Sequence, residues 1–503
     1  MRKVLSMLLI LALAAGFAAP VSPASAEELQ APDYVMEGLD ESSSGHDWET
    51  NLFFQRMQEE TGISFEFRQY TAKENWDSRK LEIGEGENLP DVLFKAALTD
   101  QETLRLTERG ILIDLKPYLE EYAPDLWALL EAHPDYLAAI TLEDGSIRAL
   151  PSINELPTNN LMWINESWLK SLQLEMPTTA EELTEVLRAF KTRDPNRNAR
   201  ADEIPLTTLG MWDLRFLGHA FGITDNDYYL SLKDGKAATS LTTDENRAFL
   251  TWLHELWQEG LLSHDSFTMI DSMRQVTDEN AALTYGMLLS NTPLSVLPVA
   301  AMDSYSVLEP LTYDGKQVYR ALVGPLTKGT FAITKVCPEP EKMIAWVNRL
   351  YTEEGCLLLQ MGREGEEYFW NENGNWEWMA DLQTVADEVL THVTLGDGGV
   401  APGIITRDFQ EKYEDNATRR LVVQMAEVQE YAVTPFPPVY LTEEDAKAVA
   451  ALQSRIAPFA EKRMAEFVTG DVPLDDAHWE SFTAELDRLG MPEMLALWQK
   501  YVK

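Results

Sequence analysis

The sequence predicts an α/β protein built from two or more lobes. Three observations lead there. Strand-like and helix-like segments alternate near the start of the mature chain, the chain is too long for one hydrophobic core, and its C-terminal part is mostly helical.

The first 26 residues are set apart. Arg2 and Lys3 precede an apolar run from Val4 to Ala19, and Ala24-Ser25-Ala26 forms an A-x-A cleavage site, so residues 1–26 are expected to be a signal peptide. The run is short for a membrane span and is followed by Pro20 and Pro23, which argues against an anchor. No cysteine stands near the cleavage site, so a lipid tether is not expected and the chain is placed outside the cell or in its envelope. What remains is about 477 of the 503 residues, more than one core accommodates. The formal charge of -42 would repel nucleic acid and favours neutral or cationic ligands. Cys337 and Cys356 are the only cysteines; two buried thiols are expected, with a bridge between them as the alternative.

Each element has its own signal. Tyr34 to Leu39 reads as a strand, Trp48 to Glu60 as a helix stopped by Gly62, and Ile63 to Arg68 as an alternating strand. A helix over about Asn75 to Ile83 and a buried strand from Asp91 to Lys95 continue the βαβα order, which predicts a parallel or mixed sheet. After a helical stretch around Pro117 to Leu130, a strand is expected at Leu161 to Asn165 and a helix at Glu166 to Leu174. Thr179 and Glu182 fit a capping box at the head of the next helix. Towards the C-terminus, Lys342 to Tyr351 is helical, Thr442 caps a long helix expected to be interrupted near Pro458, and Trp479 to Leu489 and Met494 to Tyr501 are amphipathic.

One loop carries metal-like chemistry. Asp194, Asn196 and Asn198 alternate, and Asp202 and Glu203 follow. Alternating oxygen side chains in a tight loop suit a hard cation such as Ca²⁺. Position 12 of the loop is Pro205 rather than Glu, so a Ca²⁺-sensing EF-hand is excluded, and a solvated polar turn is the alternative. The enzyme motifs G-x-S-x-G and H-E-x-x-H are absent, and no G-x-x-x-x-G-K-[ST] loop marks an ATPase. With 83 acidic residues a glycosidase pair of carboxylates can be imagined anywhere, so an exported glycoside hydrolase stays as the rival class, and a sensing module as a third.

Several separated segments resemble one family in their order. They are Thr61-Gly-Ile-Ser-Phe65, Asn88-Leu-Pro-Asp-Val92, Trp163-Ile-Asn-Glu-Ser-Trp-Leu169 before Met176-Pro-Thr-Thr179, and the Asp194 loop. Phe331-Ala-Ile-Thr-Lys335, Tyr351-Thr-Glu-Glu-Gly355, Phe467-Val-Thr-Gly470 and Leu486-Asp-Arg-Leu-Gly490 complete the set. Together they look like the family 1 extracellular solute-binding proteins of ABC importers, in particular the oligosaccharide-type subgroup of Bacillus- and Paenibacillus-like bacteria. The resemblance implies a two-lobed periplasmic-binding-protein-like fold of type II, with lobes joined by strand crossovers. Lobe 1 would hold residues 27–160 and 325–375, and lobe 2 residues 161–324 and 376–503. It also implies a monomer that captures an oligosaccharide or other small solute between the lobes and docks on an ABC permease. A structural Ca²⁺ would be held by Asp194, Asn196, Asn198, Asp202, Glu203 and the Arg200 carbonyl; Arg197 and Ala199 stand where the family usually has glycine.

In such a fold the ligand lies among loops at strand ends, where sugars meet aromatic platforms and polar rims. The expected ligand contacts are Trp48, Lys95, Asp100, Glu155, Asn160, Trp212, Tyr285, Trp370 and Trp376, with Asp40, Glu41 and His46 after the first strand. Trp168, Trp252, Trp257, Trp346, Trp479 and Trp498 fall in helical patterns and are assigned to the core.

Overall fold

The computed structural model describes residues 33–157, 160–276, 284–320, 325–413 and 416–502; the signal-peptide expectation lies outside them. The first sheet has six strands in the order Gly403–Ile405, Leu150–Asn154, Leu326–Ile333, Val92–Phe94, Tyr34–Leu39, Phe65–Tyr70. Only Leu326–Ile333 runs against its neighbours. The second sheet has four strands in the order Tyr305–Val307, Leu161–Asn165, Tyr285–Ser290, Ile204–Thr207, of which the last two are parallel.

Local chemistry sets the element ends. The Asn51 side chain accepts the Phe53 N–H at the head of helix Leu52–Thr61, and Gly62 at φ 72° ends it in the left-handed region. Thr179 likewise caps Ala180–Thr192. In strand Leu326–Ile333 the register shifts between Thr327 and Phe331. Gly329 sits there at φ 71°, and a Cβ would lie 2.1 Å from the Leu98 carbonyl oxygen, so only glycine fits this bulge.

Each sheet is covered by helices around its own core. Trp48, Phe53, Phe94, Phe331, Trp346 and Ile404 belong to the first, and Trp163, Phe190, Leu253, Met287, Ile456 and Trp498 to the second. One expected boundary moves. The expected second lobe takes in residues 376–503, but strand Gly403–Ile405 extends the first sheet beside Leu150–Asn154, and Trp376 packs with Leu357, Met361 and Tyr368. A short parallel strand with buried Ile404 gains more from an existing sheet edge than from solvent, so the chain passes between lobes a third time, after Tyr413.

A second difference concerns Pro458. Helix Glu443–Thr469 runs through it unbroken, because Val449, Leu452, Ile456, Met464 and Phe467 are buried on both sides of it and their packing outweighs one lost backbone hydrogen bond. Both cysteines are free thiols; Cys356 is buried and Cys337 half-buried.

Candidate functional site: the facing edges of the two lobes

The parallel strands of the first sheet finish at one edge. Leu39, Phe94, Asn154 and Ile405 lead there into the loops that begin at Asp40, Lys95, Glu155 and Thr406. In the second sheet Leu161 pairs with Ser290 and Thr207 with Leu288, so Asn160, the loop after Thr207 and the loop after Ser290 share an edge. The chain crosses between lobes at these edges, which therefore face each other across a cleft. At the cleft's flank the Lys328 ammonium lies 2.6 Å from Asp100 and 3.8 Å from the ring centre of Tyr440, joining the crossing strand to both lobes.

At the first edge the charged side chains turn inward. Asp40 Oδ2 accepts from Lys95 Nζ at 3.1 Å, from His46 Nδ1 at 3.0 Å and from the Trp48 indole N–H at 2.8 Å. Lys95 also donates to the carbonyls of Leu395 and Asp397. His46 Nε2 lies 2.8 Å from the Leu390 carbonyl and 2.9 Å from Asp397. One buried cluster thus ties together the loop after Leu39, the end of Val92–Phe94 and the segment 390–397. Burial opposes ionisation of Asp40, but the His46 hydrogen bond, the Lys95 charge and the Trp48 N–H outweigh it and hold its carboxyl below the usual range. Burial likewise opposes the charged form of His46, and Asp40 more than compensates, so the imidazole is raised. Lys95 is lowered by burial against the pull of Asp40.

At the second edge a ring turns outward. Trp212, in the short helix Gly210–Leu214, is 44% exposed and meets Phe216 edge-on at 6.2 Å. Its neighbour Asp213 is buried and holds the edge together. Asp213 accepts from the Asn160 amide at 2.8 Å, from the Leu209 N–H at 2.7 Å and from Arg274 Nη1 at 2.9 Å. Arg274 also donates to the Leu289 carbonyl at 2.8 Å, and the Tyr319 hydroxyl donates to the Asn160 carbonyl. Burial pushes the Asp213 carboxyl up, against the Arg274 charge. Exposed Ile270 and Met273 precede Arg274 in sequence, and Gly210 N–H donates to the Ser266 carbonyl, so apolar surface adjoins the Trp212 loop.

The expected ligand contacts therefore divide. Trp212 is exposed at the edge, Glu155 accepts the Arg407 N–H at 2.7 Å on the facing rim, and Asn160 is bound to Asp213. Trp48, Lys95, Tyr285 and Trp376 are not available to a ligand, since each is buried with an internal partner. Tyr285 donates to the Arg274 carbonyl at 3.2 Å, and Trp376 stacks on Phe409 and Tyr413. Asp100 is paired with Lys328. Trp370 lines a recess of about 910 Å³ with Met57, Tyr122, Asn348 and Arg363, a feature of the first lobe away from the strand-end loops. Asp213 and Arg274 were missed. Asp213 had one signal, its place beside Trp212 after a strand; Arg274 had none, because its partner is 61 residues away.

The Asp194 loop lies apart from the cleft, after helix Ala180–Thr192. Asp194 accepts the N–H groups of Asn198 and Ala199 at 3.0 Å, and the Asn198 amide donates to Asp202 at 2.9 Å. Asp194, Arg197 and Ala199 all take positive φ, so the two residues in glycine positions do adopt the left-handed turn. Among the described residues no group of three His, Cys, Asp or Glu side chains is placed to hold a metal. A cation here would need the asparagine oxygens as well. One atom fits that need: Glu203 Oε1 is buried without a hydrogen-bond partner, and burial, with Asp202 and Asp194 nearby, raises its carboxyl.

No family model matches the chain. The fructooligosaccharide ABC transporter substrate-binding protein FusA of Streptococcus pneumoniae serotype 4 (strain ATCC BAA-334 / TIGR4) is 27% identical, over 97% of this chain and 96% of its own. The solved structure of FusA with kestose superposes with a TM-score of 0.68 at 26% identity, covering 93% of this chain and 98% of that one. Along nearly its whole length the chain is thus similar to a solute-binding protein of an ABC importer. Lipoprotein LipO of Bacillus subtilis (strain 168) is 25% identical over 53% of this chain and 54% of its own length. An extracellular solute-binding protein of Bifidobacterium longum subsp. infantis shares the fold, with a TM-score of 0.79 at 20% identity over 94% of this chain and 99% of that one. FusA has also been solved as an EF-hand mutant, with fructo-nystose. Among the described residues no helix is long and apolar enough to cross a membrane.

Proposed function

We propose that the protein captures an oligosaccharide in the interlobe cleft outside the cytoplasm and delivers it to an ABC permease. The observation that carries this reading is the exposed Trp212 at an edge otherwise closed by a hydrogen-bonded cluster, in a chain similar to a fructooligosaccharide-binding relative along nearly its whole length. An indole face offers a sugar ring apolar contact, while Glu155 and Glu41 on the facing lobe offer carboxylates to its hydroxyls. Closure of the lobes about the crossing strands would bury the sugar. Thermal shift over a panel of oligosaccharides tests it: a sugar that raises Tm and is recovered unchanged supports capture, and release of new reducing ends would move the protein to the rival glycosidase class.

We further propose that the Asp194 loop is a structural Ca²⁺ site, with Asp194, Asn196, Asn198, Asp202, Glu203 and the Arg200 carbonyl as ligands. The unpartnered Glu203 oxygen supports this, as does the existence of an EF-hand mutant of FusA. The ion would brace the second lobe and take no part in ligand chemistry. Chelation should lower Tm by about 1–2 °C, the effect of roughly 1–2 kcal/mol in a chain of this size; an unchanged Tm in calcium-free buffer argues for a metal-free turn.

A further inference from the structure

We infer that the ligand is a neutral glycan and that uronate-bearing chains are refused. This rests on the oligosaccharide reading above and adds the charge class of the sugar. An acidic chain needs cations that can turn towards it. The basic side chains at or beside the two edges each face an acidic partner, and Lys73, beside Glu41, faces Asp77. Lys95 is buried against Asp40, Arg274 against Asp213, and Arg320 against Asp227, while Lys328 is held between Asp100 and the Tyr440 ring. The two exposed cations of the 406–412 segment, Arg407 and Lys412, each face a carboxylate one helical turn away, Glu411 and Asp408. The internal stretches outside the described residues add no positive charge, since 158–159, 277–283, 321–324 and 414–415 contain no Lys, Arg or His.

What the rim presents instead is negative. Glu41 is exposed and accepts from the Lys73 backbone N–H, Asp397 is 38% exposed beside His46, and Glu155 holds a backbone N–H rather than a cation. Between two lobes of low dielectric such carboxylates repel a uronate strongly. Recruiting Lys95 or Arg274 to the ligand would strip a buried carboxylate of its partner, which costs more than one new surface contact returns. A neutral sugar needs none of this: hydroxyls donate to the rim carboxylates and the ring lies on Trp212.

Calorimetric titration of the full mature chain with neutral gluco-, manno- and fructo-oligosaccharides and with oligogalacturonates and oligoalginates, at low and high salt, tests the inference. The expected result is a neutral ligand whose affinity changes little with salt, and uronates at least about a hundredfold weaker. Glu41→Gln should narrow that gap severalfold by raising uronate binding alone. Uronate binding as tight as the best neutral sugar, weakening as salt rises, would overturn the inference and leave the oligosaccharide reading standing. Binding of neither class would overturn both.

Discussion

At the first lobe's edge, Asp40, His46, Lys95 and Trp48 point into the protein and bind one another; at the second lobe's edge, Trp212 points out and Asp213 beneath it binds Asn160 and Arg274. Both edges lie at strand ends and both carry charged residues, yet only one offers a ligand a large apolar face. The difference teaches that polar residues at a cleft can serve the cleft's shape. At the first edge they fix three loops that have no strand to hold them. At the second, one buried carboxylate fixes a loop so that its neighbour can stand exposed.

This contrast can be broken from either side. Lys95→Met should remove about 3–5 kcal/mol of stability, because Asp40 is left buried without its cation; urea denaturation would show it, and a loss under 1 kcal/mol would mean that water reaches the cluster. Trp212→Ala should do the reverse. It should weaken sugar binding roughly 30-fold, about 2 kcal/mol, while leaving the urea midpoint nearly unchanged. Asp213→Asn lies between the two, at about 1–3 kcal/mol of stability, with a further loss of affinity because the Trp212 loop loosens. A pH series sharpens the first edge. The folded pKa of His46 is raised, so its stabilisation is full below the unfolded value near 6.5 and disappears as pH rises through the folded value. Asp40 is lowered, so its contribution is present above the unfolded carboxylate value and is lost only as pH falls through its folded pKa. Tm should therefore decline on moving from pH 6 to above the folded His46 value, and His46→Gln should flatten that limb while leaving the acid side in place. The smallest effect is expected outside both edges: Ala199→Gly relieves a φ of 59° and should add about 0.5–1 kcal/mol, with tighter Ca²⁺ binding if the loop is a metal site.

The elements were largely legible. Tyr34–Leu39 and Leu161–Asn165 fall at the expected residues, because a buried strand announces itself by a short apolar run between turn residues. Helix Glu443–Thr469 misled at Pro458, where tertiary packing overrides a local signal. The site was legible only in part. Loop position singled out Trp212, yet the same reasoning also put forward Trp376, which is enclosed by Phe409 and Tyr413 from a segment over thirty residues away.

By itself the sequence determined the α/β class, the helix caps at Thr179 and Thr442, the oxygen-rich Asp194 loop and the negative charge of the chain. These depend on composition, periodicity and neighbours within a few residues. Only the tertiary structure decided that residues 376–413 complete the first lobe, that Lys95 belongs to Asp40, and that Arg274 reaches Asp213. Those outcomes depend on which distant chain segment arrives at a strand edge or beside a buried charge, and no local pattern encodes that meeting.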